Sequence, residues 1–155
     1  MTDQDIPQIV EIERRSQFHP WTARQFAESL AAGQHCTVLI ESGMHASRVV
    51  GFCILQPVLD EANLLLMAID PDYRGQGLGA DLLETSITGL GDGCVMVFLE
   101  VRQSNQAAIA LYEKLDFHQT GLRKNYYPAD PQQYKNGKED AVIMVLTRGN
   151  PFQMM

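Results

Sequence analysis

Asp70-Pro-Asp-Tyr-Arg-Gly-Gln-Gly-Leu-Gly-Ala80 is the stretch that decides how this chain folds. It follows the apolar run Leu64-Leu-Leu-Met-Ala-Ile69 and precedes a segment in which Leu78, Leu82, Leu83, Ile87 and Leu90 recur at helical spacing. That pattern predicts a strand, a glycine-rich turn and a helix. A helix start exposes backbone N–H groups that have no partner within the helix, and its dipole is positive there. Glycines at 75, 77 and 79 allow a ligand to approach those groups with no Cβ in the way. The arrangement suits an anion, and a pyrophosphate best of all.

The rest of the composition sets limits around this turn. With 155 residues, 45% of them hydrophobic, the chain suits one globular domain over 1–155, with residues 148–155 expected as a disordered tail. No run approaches the roughly 18 apolar residues of a membrane span. The acidic start Met-Thr-Asp-Gln-Asp lacks the apolar stretch of a secretory signal, so a cytoplasmic protein is expected. Cys36, Cys53 and Cys94 are widely spaced in apolar surroundings, as buried thiols in a reducing compartment would be. Neither they nor His19, His35, His45 and His118 show metal-ligand spacing, so no metal is expected. A net charge of −7 argues against nucleic-acid binding and favours a cationic substrate. It also requires that a polyanionic cofactor be held by local donors.

Periodicity and turn residues fill in the elements. Asp5 to Ser16 reads as a helix, His19-Pro-Trp21 breaks it, and Thr22 caps a second helix to about Ala32. Cys36–Glu41 and Arg48–Leu55 read as an antiparallel strand pair. Leu64–Ile69 is a third strand, followed by the glycine turn and its helix, which ends at the glycines from Gly89 to Gly93. Cys94–Val101 is a nearly continuous apolar strand, as in the middle of a covered sheet. Ser104 or Asn105 caps a helix to about Leu115, Phe117 opens a strand, and Ala141–Leu146 is the last. Asn125–Lys138, with two prolines and three tyrosines, reads as a loop or long hairpin connection. Antiparallel strands first and βαβ units later predict an α/β fold: a mixed, mostly antiparallel sheet flanked by helices.

Glu100 is the second informative residue. Its neighbours in Val95-Met-Val-Phe-Leu-Glu-Val101 are apolar, and burial there penalises an ionised carboxylate unless it is hydrogen-bonded or beside water. Its place near the C-terminal end of a central strand is where α/β sheets bind ligands. The structural alternative is an ion pair with Arg102, two residues on and on the same face. Asn105 and Tyr112 lie seven residues apart and so share a helix face that could line a ligand groove. Taken alone, Tyr112 also fits a half-buried packing role.

Two cofactor readings meet at the glycines. Gly75-Gln-Gly-Leu-Gly-Ala80 satisfies G-x-G-x-x-A, and Glu100 follows about 20 residues later, where a dinucleotide fold places its ribose-binding acid. Against this, Asp70–Arg74 separates the strand from the first glycine, and only about half the chain remains for the second half of such a fold. The motif is more completely described as Arg74-x-x-Gly77-x-Gly79 after a strand and Asp-Pro.

In that form the sequence closely resembles the GNAT acetyltransferases, whose (Gln/Arg)-x-x-Gly-x-(Gly/Ala) loop binds the pyrophosphate of acetyl-CoA. The resemblance narrows to the RimI-like branch, the N-terminal alanine acetyltransferases of ribosomal proteins. It is carried by Val58-Leu-Asp-Glu-Ala62, Ile69-Asp-Pro-Asp-Tyr73, Gln76-Gly-Leu-Gly79, Leu99-Glu-Val-Arg102, Ser104-Asn105, Ala107–Glu113 and Arg123-Lys-Asn-Tyr-Tyr-Pro128. His19-Pro-Trp21 is similar to the branch's Phe-Pro-Trp, and the match spans roughly residues 5 to 147. Three features depart from the pattern. The first helix starts within a few residues of the first Met, Gly75 stands where many relatives carry a basic residue, and Ala129–Gly137 is longer than in close relatives.

The resemblance implies a GNAT-like fold in one domain and a role for each matched residue. Met67, Ala68 and Ile69 would pair with the pantetheine arm. Arg74, Gly75, Gln76, Gly77, Leu78, Gly79 and Ala80 would hold the pyrophosphate, and Asn105 would meet the cofactor from the next helix. Glu100 falls on the general base and Tyr112 on the general acid. Tyr126 and Tyr127 would flank the acceptor peptide. Asp60 and Glu61, beside the cofactor strand, are candidates to hold its positive charge. The expected reaction is direct acetyl transfer in a ternary complex, without metal, to the N-terminal amine of a ribosomal protein, by a monomer or weak dimer.

Elementary acid–base chemistry agrees with that acceptor. An α-amine has pKa ≈ 7.7–8.0 and a lysine ≈ 10.4, so at pH 7 about a tenth of the former is neutral and very little of the latter. A lysine or small-molecule amine acceptor remains the alternative. A dinucleotide enzyme or a non-catalytic acetyl-CoA sensor would be further from the residue pattern.

Overall fold

The computed structural model describes residues 1–149. Helices α1 (Ile6–Ser16) and α2 (Ala23–Ala31) precede strands β1 (His35–Ser42), β2 (Ser47–Val58) and β3 (Glu61–Ile69). Then come α3 (Leu78–Thr88), β4 (Met96–Arg102), α4 (Gln106–Lys114), β5 (His118–Pro128) and β6 (Lys138–Thr147). The strands are hydrogen-bonded in the order β1-β2-β3-β4-β6-β5. β3 runs parallel to β4 over Glu61–Asn63, and the pairs β1/β2, β4/β6 and β5/β6 are antiparallel. This is the mixed α/β sheet that the sequence predicts. The chain packs as two compact units, Met1–Pro57 with Leu64–Asp92, and Val58–Asn63 with the residues from Gly93 onward.

In the first unit, Pro7 sits in the opening turn of α1, where a missing N–H costs nothing. Thr22 Oγ1 accepts from the Gln25 N–H while Gln25 returns the bond to the Thr22 N–H, a reciprocal cap that starts α2 after the His19-Pro-Trp21 break. These helices bury Ile6, Ile9, Ile12 and Phe26 against Val49, Phe52, Ile54 and Ala68. The Phe26 ring meets Phe52 edge-on at 5.3 Å. Truncating the fully buried Phe26 to alanine is expected to cost roughly 3–5 kcal/mol. Gly51 on β2 allows a close approach. A Cβ there would lie 2.7 Å from Ile69 Cδ1, 3.2 Å from the Ala68 carbonyl oxygen and 3.4 Å from Leu82 Cδ2, so a side chain would force Ile69 to shift and crowd the end of β3.

In the second unit, Val97, Leu99 and Val101 alternate to one face of β4 and are buried. Ala141, Val142, Met144, Tyr112 and Phe117 are buried in the same unit. The other face of β4, with Met96, Phe98, Glu100 and Arg102, is only half-buried. The apolar run that reads as a fully covered strand is therefore covered completely on one side alone.

Several boundaries differ from the sequence reading. β3 begins at Glu61 and β2 extends to Val58, because the chain reverses within the short turn at Leu59 and Asp60. Asn125–Pro128, expected in a loop, continues β5. Asn125 there has φ +54° and its N–H is taken by Asp140 Oδ1 at 2.9 Å, a bulge that lets pairing resume at Tyr127 opposite Glu139. Arg148 donates from its backbone N–H to the Val95 carbonyl and from Nη1 to the Cys94 carbonyl, both at 2.8 Å. The rest of the expected tail, residues 150–155, lies outside the described residues.

Candidate active site

The glycine turn of the first unit has the form that anion binding needs. Gly75 and Gly77 adopt φ +79° and +76°, and a Cβ at either would meet nothing within 4 Å. Gly77 is the N-cap of α3 and supplies no side chain to it. The first helical bond runs from the Asp81 N–H to the Gly77 carbonyl, so the N–H groups of Leu78, Gly79 and Ala80 have no helical carbonyl to meet. Arg74 to Gly77 are exposed. Positive backbone dipole, open space and no side-chain cap together make the turn fit a pyrophosphate. Arg74 also fastens the turn, donating from Nε to the Ile69 carbonyl at 3.2 Å and from Nη2 to Ser16 Oγ at 3.0 Å. Met67, Ala68 and Ile69 form the last residues of β3.

What holds the turn in place is a residue the motif did not single out. Asp70 is 2% exposed, yet its carboxylate accepts from Arg15 Nη1 at 3.1 Å, Arg48 Nη2 at 3.0 Å and the Asp72 N–H at 2.9 Å. A buried carboxylate is tolerated when charged donors replace water. Asp70 thereby ties the segment after β3 to α1 and β2. Arg48 also lies over the Tyr73 ring, whose hydroxyl donates to Glu41.

In the second unit, Glu100 sits on the half-buried face of β4, with its side chain 29% exposed. It pairs with Arg123 Nη1 at 3.4 Å. The Glu100–Arg102 ion pair, which the sequence offers as the structural alternative, does not form. Arg102 turns instead to Glu139, 3.0 Å away, and to the Pro128 carbonyl at 2.6 Å. Across the ladder Glu100 lies level with Ile143 and Gly121, and Arg102 with Ala141 and Arg123, so Arg123 reaches Glu100 on a diagonal across β6.

Asn105 caps α4, its Oδ1 accepting from the Ala108 N–H at 3.1 Å, which leaves its amide nitrogen for other uses. Tyr112 is buried on the same helix, 5.8 Å from the Phe117 ring, and its carbonyl accepts from the Phe117 N–H. Tyr127 donates its hydroxyl to the Glu100 carbonyl at 3.0 Å, and burial pushes that phenol up to about 12. Tyr126 is exposed, edge-on to Tyr127 at 4.9 Å and beneath the Arg123 guanidinium. The structure thus gathers Glu100, Arg123, Tyr126 and Tyr127. It does not bring Asp60 and Glu61 to that group. Glu61 lies opposite Met96, four residues before Glu100 along β4, roughly 13 Å at the rise of a strand.

Two other carboxylates were invisible in the sequence. Glu139 is buried on β6 with donors around it. Burial alone would raise its carboxyl, but hydrogen bonds from Ser104 and Arg102 outweigh that and hold it below the usual carboxylate range. Glu13, fully buried on α1, accepts from the Trp21 N–H at 2.9 Å through one oxygen, while the other has no partner. Burial pushes the Glu13 carboxyl up. All three cysteines are free, and burial drives the Cys53 thiol to about 12, a poor nucleophile. Among the described residues there is no cluster of His, Cys, Asp and Glu that could hold a metal ion, and no helix is long and apolar enough to cross a membrane.

Comparison with known proteins adds to this geometry. The sequence pattern of the acetyltransferase (GNAT) family matches residues 6–117. The chain is 43% identical over 143 residues to the ribosomal protein bS18-alanine N-acetyltransferase of Escherichia coli K12, covering 92% of this chain and 90% of that protein. The corresponding Haemophilus influenzae protein is 38% identical over 141 residues, covering 90% of each. The crystal structure of the ribosomal-protein-S18-alanine N-acetyltransferase from Escherichia coli superposes with a TM-score of 0.84 at 41% identity, covering 97% of this chain and 92% of that one.

Proposed function

Because this chain belongs to the acetyltransferase (GNAT) family, we propose that it moves the acetyl group of acetyl-CoA to the N-terminal alanine of ribosomal protein bS18. The observation that carries the reading is the left-handed glycine turn, with no side-chain cap, before α3, in a chain that shares nine-tenths of its length with bS18-alanine N-acetyltransferases. The chain acts as one N-acetyltransferase domain, in the cytoplasm where ribosomal proteins are made. Its net charge of −7 suits a basic acceptor.

Bound acetyl-CoA supplies an activated thioester. The N–H groups of Leu78, Gly79 and Ala80, with Gly75, Gln76 and Gly77 before them, receive the pyrophosphate, and Arg74 keeps the turn in shape. The backbone of Met67, Ala68 and Ile69 pairs with the pantetheine arm, and its N–H groups polarise the thioester carbonyl as preorganised donors do. The amide nitrogen of Asn105 adds a donor from α4. Glu100 takes the proton from the acceptor amine through water, and Tyr112 returns a proton to the departing sulfur. The amine attacks directly in a ternary complex, since the buried Cys53 thiol is poorly suited to carry an acyl group. Tyr126 and Tyr127 flank the first acceptor residue. Asp60 and Glu61 attract the basic chain that follows it.

The test is intact-mass spectrometry of unmodified bS18 incubated with the protein and acetyl-CoA. One added acetyl group, mapped to the first residue, is expected. Unmodified bS18 beside an acetylated lysine peptide overturns the reading in favour of a different amine.

A further inference from the structure

Glu139 has no part in the chemistry described above, yet a path of three contacts joins it, through Arg102 and Tyr127, to the backbone of Glu100 on β4. Its carboxylate accepts from Arg102 Nη1 at 3.0 Å, the Ser104 N–H at 3.2 Å and the Tyr134 hydroxyl at 3.4 Å. The Arg102 guanidinium, held there and also bonded to the Pro128 carbonyl, lies over the Tyr127 ring at 4.6 Å. Tyr127 in turn donates to the backbone carbonyl of Glu100 at 3.0 Å. Glu139 and Tyr127 are also paired residues in the β5/β6 ladder. Every link lies within the second unit.

We propose that Glu139 is a positioning residue for acetyl transfer, fixing the backbone of Glu100 through Arg102 and Tyr127. A lone arginine on a strand face samples many rotamers. With Nη1 shared between the buried Glu139 carboxylate and the Pro128 carbonyl, Arg102 presents a stationary plane to Tyr127. The phenol then stays aimed at the Glu100 carbonyl instead of turning to water. Ser104, held by the other carboxylate oxygen, precedes Asn105, so the same residue sets where α4 starts. Positioning of this kind matters because displacing a reacting group by about 1 Å can cost 10²-fold in rate. The glycine turn belongs to the other unit and is left alone.

The inference rests on the acetyltransferase reading, and its test separates the two. Protein carrying 13C-labelled tyrosine is compared by NMR as wild type and as Glu139→Gln, a change that keeps the size but sets an amide against one of the donors. The Tyr127 ring resonance is expected to move and broaden, with Tyr73 of the first unit unchanged. For turnover of an alanine-initiated peptide, kcat is expected to fall about tenfold with KM for acetyl-CoA unchanged. That loss should disappear in the Tyr127→Phe background. Arg102→Lys, which retains the ion pair but not the plane over the ring, should reproduce both effects and covers the case in which Glu139→Gln does not fold. An unmoved Tyr127 resonance overturns the proposal, as does a kcat loss of equal size with or without the Tyr127 hydroxyl. A wild type that acetylates no α-amine sinks the function alone, and the resonance still decides the positioning.

Discussion

Arg123 Nη1 stands 3.4 Å from Glu100 Oε1, so the charge facing the candidate base comes from β5 and not from its own strand. The arginine side chain is 53% exposed and the glutamate 29%. Half-exposed pairs of this kind are worth about 0–1 kcal/mol. That is too little to keep Glu100 from an incoming amine, and enough to orient the carboxylate before one arrives.

Glu100→Gln keeps shape and removes basicity. Turnover at saturating peptide should fall by roughly 10²-fold or more, the usual worth of a general base. CoA should still raise the melting temperature, because the glycine turn is untouched. Near-wild-type turnover would make Glu100 a structural partner of Arg123.

Gly77→Ala tests the cofactor turn. The new Cβ meets no protein atom, so the cost in stability is the strain of φ +76°, about 1–2 kcal/mol. If a pyrophosphate sits against the turn, the methyl group intrudes on it. KM for acetyl-CoA should rise while kcat at saturation holds, and a tenfold weaker Kd would remove about 1.4 kcal/mol of the stabilisation that CoA gives. Equal CoA shifts in both proteins would move the pyrophosphate elsewhere.

Glu13→Gln tests a pH dependence. Burial raises the Glu13 carboxyl in the folded protein above its unfolded value of about 4.3. The protonated form is thus favoured on folding, and its contribution is complete below the unfolded value and lost as pH rises through the folded one. Glutamine never ionises. Thermal melts should therefore give similar stabilities for both proteins near pH 4 and a growing advantage for the variant as pH approaches 7. A constant difference across that range would contradict the sign.

The local signals in the sequence carried far. Thr22 marked the α2 cap, the glycines marked the α3 start, and the α4 cap was narrowed to Ser104 or Asn105, because each is settled by residues within one turn. β5 was harder to see. It is an edge strand exposed along most of its length, so no alternation betrays Asn125–Pro128. The buried carboxylates were beyond reach for another reason. Asp70 finds Arg15 and Arg48 at separations of 55 and 22 residues, and Glu139 finds Arg102 at 37. Each reads as an ordinary surface acid until the sheet order is known. The same gap hid the partner of Glu100, since spacing along β4 offered Arg102 as the alternative while Arg123 reaches it diagonally from β5, two strands away.

The identity of the acceptor amine is the centre of the account, and two peptides of one sequence test it most directly. One carries a free N-terminal alanine and an acetylated internal lysine, and in the other the blocks are exchanged. With acetyl-CoA and wild-type protein, mass spectrometry should find transfer to the first peptide and none to the second. Turnover confined to the second would contradict N-terminal specificity and leave a lysine acetyltransferase on the same fold.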